Sequence, residues 1–132
     1  MAEIEGSVIE LTLPFPPSVN ALYDGGHKSH QRFKNKRYKE WLRESAQALL
    51  GQEYVPFAPH LSLEVHYRLS APDERRRDLA NCEKALSDFL VSSKIISDDS
   101  MIHRLIMEWD ETISLGLVKV LIVGYNESLR KY

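Results

Sequence analysis

The stretch Arg75–Asp99, RRRDLANCEKALSDFLVSSKIISDD, decides how the rest of the chain is arranged. It opens on three arginines and closes on paired aspartates. Between them Leu79, Cys82, Leu86, Phe89 and Leu90 recur at the interval that gathers apolar side chains on one face of a helix, so that face is expected to be buried. The opposite face collects Asn81, Lys84 and Asp88, an amide, an ammonium and a carboxylate. Asp78 stands just before the first turn, where an aspartate can accept hydrogen bonds from free backbone amides.

Working toward the N-terminus, LSLEVHYRL at 61–69 alternates Leu61, Leu63, Val65, Tyr67 and Leu69 with polar residues, the pattern of a strand with one buried face. His66 falls on its other face and carries no assignment. Lys34–Leu50 resumes helical spacing through Tyr38, Trp41, Leu42, Ser45 and Leu49, while Lys34, Lys36, Arg37, Lys39 and Arg43 fill much of the remaining surface. This basic amphipathic helix is expected to end at Gly51. Before it, YDGGHKSH reads as a flexible connection, and its His27 and His30 lack any companion motif that would make them metal ligands. The first strand is SVIELTL at 7–13, leading into PFPPSVN. There Pro14, Pro16 and Pro17 stiffen the backbone, and Ser18 and Asn20 can bond neighbouring amides.

Toward the C-terminus, Ile95–Ser97 is expected to be a short extended piece before Asp98 and Asp99. Two strands follow, roughly 101–110 and 115–124, with a connection at ETISLG short enough for a hairpin. The expected order is βαβαββ: a single α+β domain over 1–132, in which two helices pack on a small mixed sheet.

Composition sets limits. A chain of 132 residues can bury a full core without disulfides, and its single cysteine, Cys82, lies in the apolar row as a packed thiol. No apolar run is long enough to cross a bilayer and no signal-peptide pattern opens the chain, so the expectation is a cytoplasmic protein with no membrane partner. Net charge is −2, which taken alone argues against nucleic acid. The charges are segregated, however. Residues 27–43 hold seven Lys or Arg against one Glu, while the remainder holds ten against eighteen acidic residues. A basic segment set against an acidic cluster suits a protein that grips a polyanion and binds cations beside it.

The acidic residues suggest which cations. Asp78, Asp98 and Asp99, with Asp88 nearby in sequence, offer hard oxygen ligands of the kind that take Mg²⁺ or Mn²⁺ together with water and substrate phosphate. Such a site hydrolyses phosphodiesters, and Lys84 could offset the charge that develops in the transition state. The same residues also admit plainer roles, Asp78 as a helix cap and the Asp98–Asp99 pair as a turn former.

Three motifs in order, PPSVN, RRRDLANCEKALSDFLV and DDSMI, resemble the RusA family of Holliday junction resolvases over roughly Leu11–Val123. The resemblance implies a small homodimeric, Mg²⁺-dependent endonuclease that cuts four-way DNA junctions by paired nicks, from a family often carried by phages and prophages. Carried over by position, Asp78 matches the first acidic residue of the family's D-x-D-N motif, Asn81 its Asn and Lys84 the Lys that follows. Asp98 and Asp99 match the second acidic pair. Asn20 belongs to the proline-rich motif. The departure is Ala80, where the family motif has a second Asp.

These residues define the expectation. Asp78 and Asp99 are the principal metal ligands and share the catalytic role with Lys84; Asp98 and, more weakly, Asp88 support the metal. Lys34, Lys36, Arg37, Lys39, Arg75, Arg76 and Arg77 hold DNA. Because a methyl group cannot ligate a cation, Ala80 leaves one alternative standing, a branched-DNA-binding protein that has lost cleavage.

Overall fold

The computed structural model describes residues 8–24 and 33–125. Its centre is a four-stranded mixed sheet built from β1 (Ile9–Pro14), β4 (Leu63–Leu69), β5 (Ile102–Trp109) and β6 (Leu117–Gly124), in the order β1-β6-β4-β5. Two short strands, β2 (Tyr23–Asp24) and β3 (Phe33–Lys34), form a separate antiparallel ladder, Tyr23 opposite Lys34 and Asp24 opposite Phe33. The expected flexible connection is therefore tied at both ends. His27 and His30 lie outside the described residues.

One face of the sheet is apolar because the strands alternate in step. Ile9, Leu11 and Leu13 stand opposite Ile122, Val120 and Val118, which in turn stand opposite Val65, Tyr67 and Leu69. All nine are buried. Helices α1 (Lys36–Leu50) and α2 (Glu83–Ser92) cover this face, and Trp41 of α1 meets Phe89 of α2 edge-on at 5.6 Å. Deep in this layer the Tyr67 hydroxyl meets Ser87 Oγ at 2.9 Å, which satisfies both groups away from water. The other face is mixed: Lys119 Nζ donates to Thr12 Oγ1 at 2.9 Å and Arg104 pairs with Glu64 at 3.3 Å, while Leu121 and Ile106 stand on either side of His66. Mixed sign and polarity on one side, aliphatics on the other, is the ordinary division of a half-covered sheet.

The α+β class, the two helices and the mixed sheet agree with expectation, but the sheet order does not. β5 and β6 are not a hairpin. β4 lies between them, parallel to β5 and antiparallel to β6. The chain from Asp110 to Gly116 passes around the end of β4: Asp110 N donates to Leu69 O at 2.8 Å, and Gly116 N donates to Ser70 O at 2.8 Å. Gly116 makes this possible with φ +79, its missing Cβ facing Pro72. The strand whose core-facing residues, Leu63, Val65, Tyr67 and Leu69, have no exposed surface takes the interior position, and a short loop can skirt it.

Three local expectations also change. The basic helix begins at Lys36, because the Asn35 side chain accepts from Arg37 N at 2.8 Å and caps it; Lys34 belongs to β3. The central segment starts as a 3₁₀ turn at Leu79–Cys82 before becoming α2. Ile95–Ser97 is a bend instead of an extended piece: Lys94 takes φ +61, Lys94 N donates to Val91 O and Ile95 N to Leu90 O, both at 3.0 Å. This reversal closes α2, buries Ile95 and Ile96, and sets Asp98 and Asp99 at the start of β5. Among the described residues no helix is long and apolar enough to cross a membrane.

Candidate active site

A groove of about 590 Å³ brings the first two sequence motifs together and excludes the third, DDSMI. Its wall is the proline turn Phe15–Ser18 and Ala21 on one side and Arg75–Asp78, Asn81 and Cys82 on the other, with Arg37 reaching in from the first turn of α1. Pro16 and Pro17 are buried, and Ser18 Oγ accepts from Asn20 N at 3.3 Å, so the turn is a fixed wall. The Asn20 side chain itself is exposed.

Asp78 occupies the cap position of the 3₁₀ turn, yet its carboxylate makes no capping bond. Among the described residues it has no hydrogen-bond or ion-pair partner and is exposed at the groove. The plainer role as a cap is therefore unfilled, and the charge is available to a ligand. The two carboxylates at the other end divide differently. Asp98 accepts from Ser100 N at 3.1 Å and caps the short turn Asp99–Met101; the Ser100 hydroxyl, then the Ser100 and Asp99 amides, hold its pKa below the usual carboxylate value. Asp99 is exposed and has no such partner among the described residues.

On the outer face of α2, Lys84 Nζ donates to Asp88 Oδ2 at 2.8 Å, which raises the lysine pKa and keeps it charged. Both groups are well exposed, so the pair contributes only about 0.3–0.5 kcal/mol and Lys84 can change partners at little cost. Asp88 is thus engaged with a cation of its own chain. Tyr23 and Tyr38 pack edge-on at 5.9 Å. The sequence reading placed Tyr38 on the core face of the helix and gave neither residue a role at the site.

The arginines are likewise unequal. Asp73 gathers two of them: Arg77 donates to its two carboxylate oxygens at 2.7 and 3.1 Å, and Arg75 contributes its backbone amide at 2.9 Å and its guanidinium at 3.3 Å. The hydrogen bonds from Arg77, then those from Arg75, hold the Asp73 carboxyl far below the ordinary range. Arg77 also lies over the Phe15 ring, 5.4 Å from its centroid. Only Arg76 of the three is exposed without a partner among the described residues. Lys34, Lys36 and Lys39 are exposed near the start of α1 but do not line the groove, which takes only Arg37 from that group. Asp73 was missed by the sequence reading, although an aspartate two and four residues ahead of arginines is a detectable signal.

The family profile of endodeoxyribonuclease RusA matches residues 14–122. The chain belongs to the RusA family. Among its relatives, the crossover junction endodeoxyribonuclease RusA of Escherichia coli (strain K12) is 27% identical over 93 residues, covering 70% of this chain and 74% of the relative. The corresponding enzyme of Enterobacteria phage HK97 is 30% identical over 91 residues, 68% of this chain and 72% of the relative. That of Enterobacteria phage 82 is 27% identical over 93 residues, with the same coverage as the strain K12 enzyme.

Set on this RusA-family fold, the acidic residues fall into two stations. Asp78 lies at the end of the sheet where Leu69 stands opposite Trp109, which stacks on Phe15. Asp98 and Asp99 precede Ile102, which stands opposite Leu63 at the other end of β4. A seven-residue strand spans about 20 Å, so the stations are separated by roughly that length. Accordingly, no three carboxylate, imidazole or thiolate side chains converge on a cation site within one chain among the described residues. The donor chemistry fits Mg²⁺, with two unspent carboxylates in water-accessible positions; their placement in a single chain does not.

Proposed function

We propose that this protein is a divalent-cation-dependent endonuclease that cuts four-way DNA junctions by symmetric nicks, acting as a homodimer. The observation that carries the reading is the groove, which places the uncapped Asp78 and Asn81 beside Arg37 and Arg75–Arg77 against a rigid proline wall. A phosphodiester entering it meets cationic donors for its non-bridging oxygens and a carboxylate free to ligate.

The separation of the two stations supports the dimer in this reading. An isologous two-fold pairing with the protomers antiparallel would set one end of a protomer against the opposite end of its partner, so that Asp78 of each copy faces Asp98 and Asp99 of the other. Charge favours the same arrangement, because the Asp78 end carries the arginines and the other end carries the acidic pair. Asp78 and Asp99 would then hold Mg²⁺ or Mn²⁺, with Asp98 orienting the turn that presents Asp99. When bound, the cation supplies Lewis-acid polarisation of the phosphoryl group and a water of lowered pKa. The chain's own part is to hold the strand: Arg76 and Arg37 position phosphate, and Lys84 exchanges Asp88 for the charge developing on the reacting phosphoryl group. Two equivalent sites match the two symmetry-related strands of an exchange junction.

Labelled four-way junction DNA incubated with Mg²⁺, Mn²⁺ or EDTA tests the reading. Paired nicks that require the cation are expected. Binding without cleavage in every cation would support instead the branched-DNA-binding alternative, with Ala80 as the lesion.

A further inference from the structure

The groove's outer wall holds a feature that phosphate binding and hydrolysis do not use. Phe15 stacks on Trp109 with centroids 6.1 Å apart and planes 12° from parallel, and the Arg77 guanidinium lies over the Phe15 ring at 5.4 Å. Arg77 is fixed in turn by Asp73. Trp109 is 41% exposed, whereas the chain's other tryptophan, Trp41, is 4% exposed. Trp109 closes β5 opposite Leu69, whose side chain is fully buried, so the indole sits on the helix-covered side of the sheet at the point where cover ends. A part-exposed indole stacked on a second ring that itself carries an arginine is the kind of arrangement by which proteins take single-stranded nucleic acid: cations for the backbone, aromatic faces for the bases.

We propose that Trp109, supported by Phe15 and Arg77, is a stacking platform for an unpaired nucleobase of branched DNA. The proposal rests on the junction-cutting reading above and adds the part of the substrate that the arginines do not recognise. Base pairs at a branch point have incomplete stacking partners, so a base is released there at lower cost than from continuous duplex. A base on Trp109 places its own strand across the Asp78 groove, because Phe15 belongs to both the stack and the groove wall. Discrimination between junction and duplex then comes partly from one aromatic face.

Intrinsic fluorescence of the full chain in EDTA isolates this contact. Trp41 is buried with its Nε1 donating to Pro14 O at 2.9 Å, so a DNA-dependent change reports Trp109. Junction DNA is expected to quench the emission more than a duplex of equal length, and Trp109→Phe to abolish the quench while keeping junction affinity. Trp109→Ala, checked for folding by its thermal melt, is expected to weaken junction binding about tenfold and duplex binding little. A 2-aminopurine at the branch point should respond to the parent protein and not to Trp109→Ala. If the parent binds the junction but Trp109→Ala loses junction and duplex affinity equally, or emission changes with protein concentration and not with DNA, the platform is refuted. The latter result would place Trp109 in a contact between copies. Failure of the parent protein to bind a junction at all would instead remove the underlying reading and this proposal together.

Discussion

Mixing two inactive variants separates a shared site from a self-contained one. Asp78→Asn and Asp99→Asn each replace a carboxylate with an amide of the same shape that holds a hard cation poorly, so each alone is expected to lose cleavage while retaining junction binding. The stations lie about 20 Å apart along β4, far beyond the few ångströms over which two carboxylates can ligate one ion. In a mixed dimer one composite site therefore contains both amides, and the other contains the native Asp78 and the native Asp99. Random reassociation of equal amounts makes about half the dimers mixed, restoring roughly a quarter of the wild-type sites. Because each mixed dimer has a single working site, the products should be nicked junctions in place of fully resolved duplexes. The converse mixture is equally informative: the double variant combined with wild type yields mixed dimers with no intact site, and activity should fall below the share of wild-type chains. A mixture of the two single variants that stays inactive, after exchange has been verified by mass or fluorescence, refutes the shared site.

Four further outcomes are expected. Lys94→Gly should raise stability by about 1 kcal/mol in thermal or denaturant unfolding, because a side chain at φ +61 is strained and glycine is not. Replacing Lys34, Lys36 and Arg37 by Ala should flatten the dependence of junction affinity on salt by up to about three in log–log slope, and an unchanged slope would place the DNA elsewhere. Ala80→Asp adds a carboxylate at an exposed position two residues from Asp78, so the Mg²⁺ concentration for half-maximal cleavage should fall; an unchanged Mg²⁺ titration would show that residue 80 does not face the site. The depressed Asp73 contributes stability that is present above its unfolded pKa of about 4 and is lost as pH falls toward its folded value, so Asp73→Asn should show a shallower loss of stability below about pH 4 in acid titrations of the melting temperature.

The local elements were legible because their periodicities are strong. Period two in β1 and β4 and the recurrence through Tyr38, Trp41 and Ser45 correctly named the core faces. Sheet order was not legible, because the length of the Asp110–Gly116 connection is the same whether it turns back at once or passes the end of another strand. The distinguishing information lay in tertiary contacts to Leu69 and Ser70, which no local pattern encodes. The start of α1 shows the competition at smaller scale: Lys34 fits the helical period, but capping by Asn35 ends the helix before it, and pairing with Tyr23 claims it for β3.

At the candidate site, the motifs named the residues but not how their contacts divide. Asp98 and Asp99 are equivalent as letters; only the hydrogen bond from Ser100 N makes Asp98 the cap and leaves Asp99 free. Arg75, Arg76 and Arg77 read as one basic run until Asp73 takes the first and third. The distance between the acidic stations was nonetheless implicit in the sequence. Asp78 and Asp99 flank a continuous helical pattern, and the ten residues of α2 alone advance the chain about 15 Å. Carboxylates at the two ends of one helix cannot share an ion unless the chain folds back on itself or a second copy brings its opposite end alongside. Here the reversal at Lys94 leaves Asp99 at the base of β5, and it is β5 that runs back toward the Asp78 groove at its tip. If Asp78 and Asp99 hold one ion, as proposed above, the second station must come from another copy, for a reason set by the same helix that made the stretch recognisable.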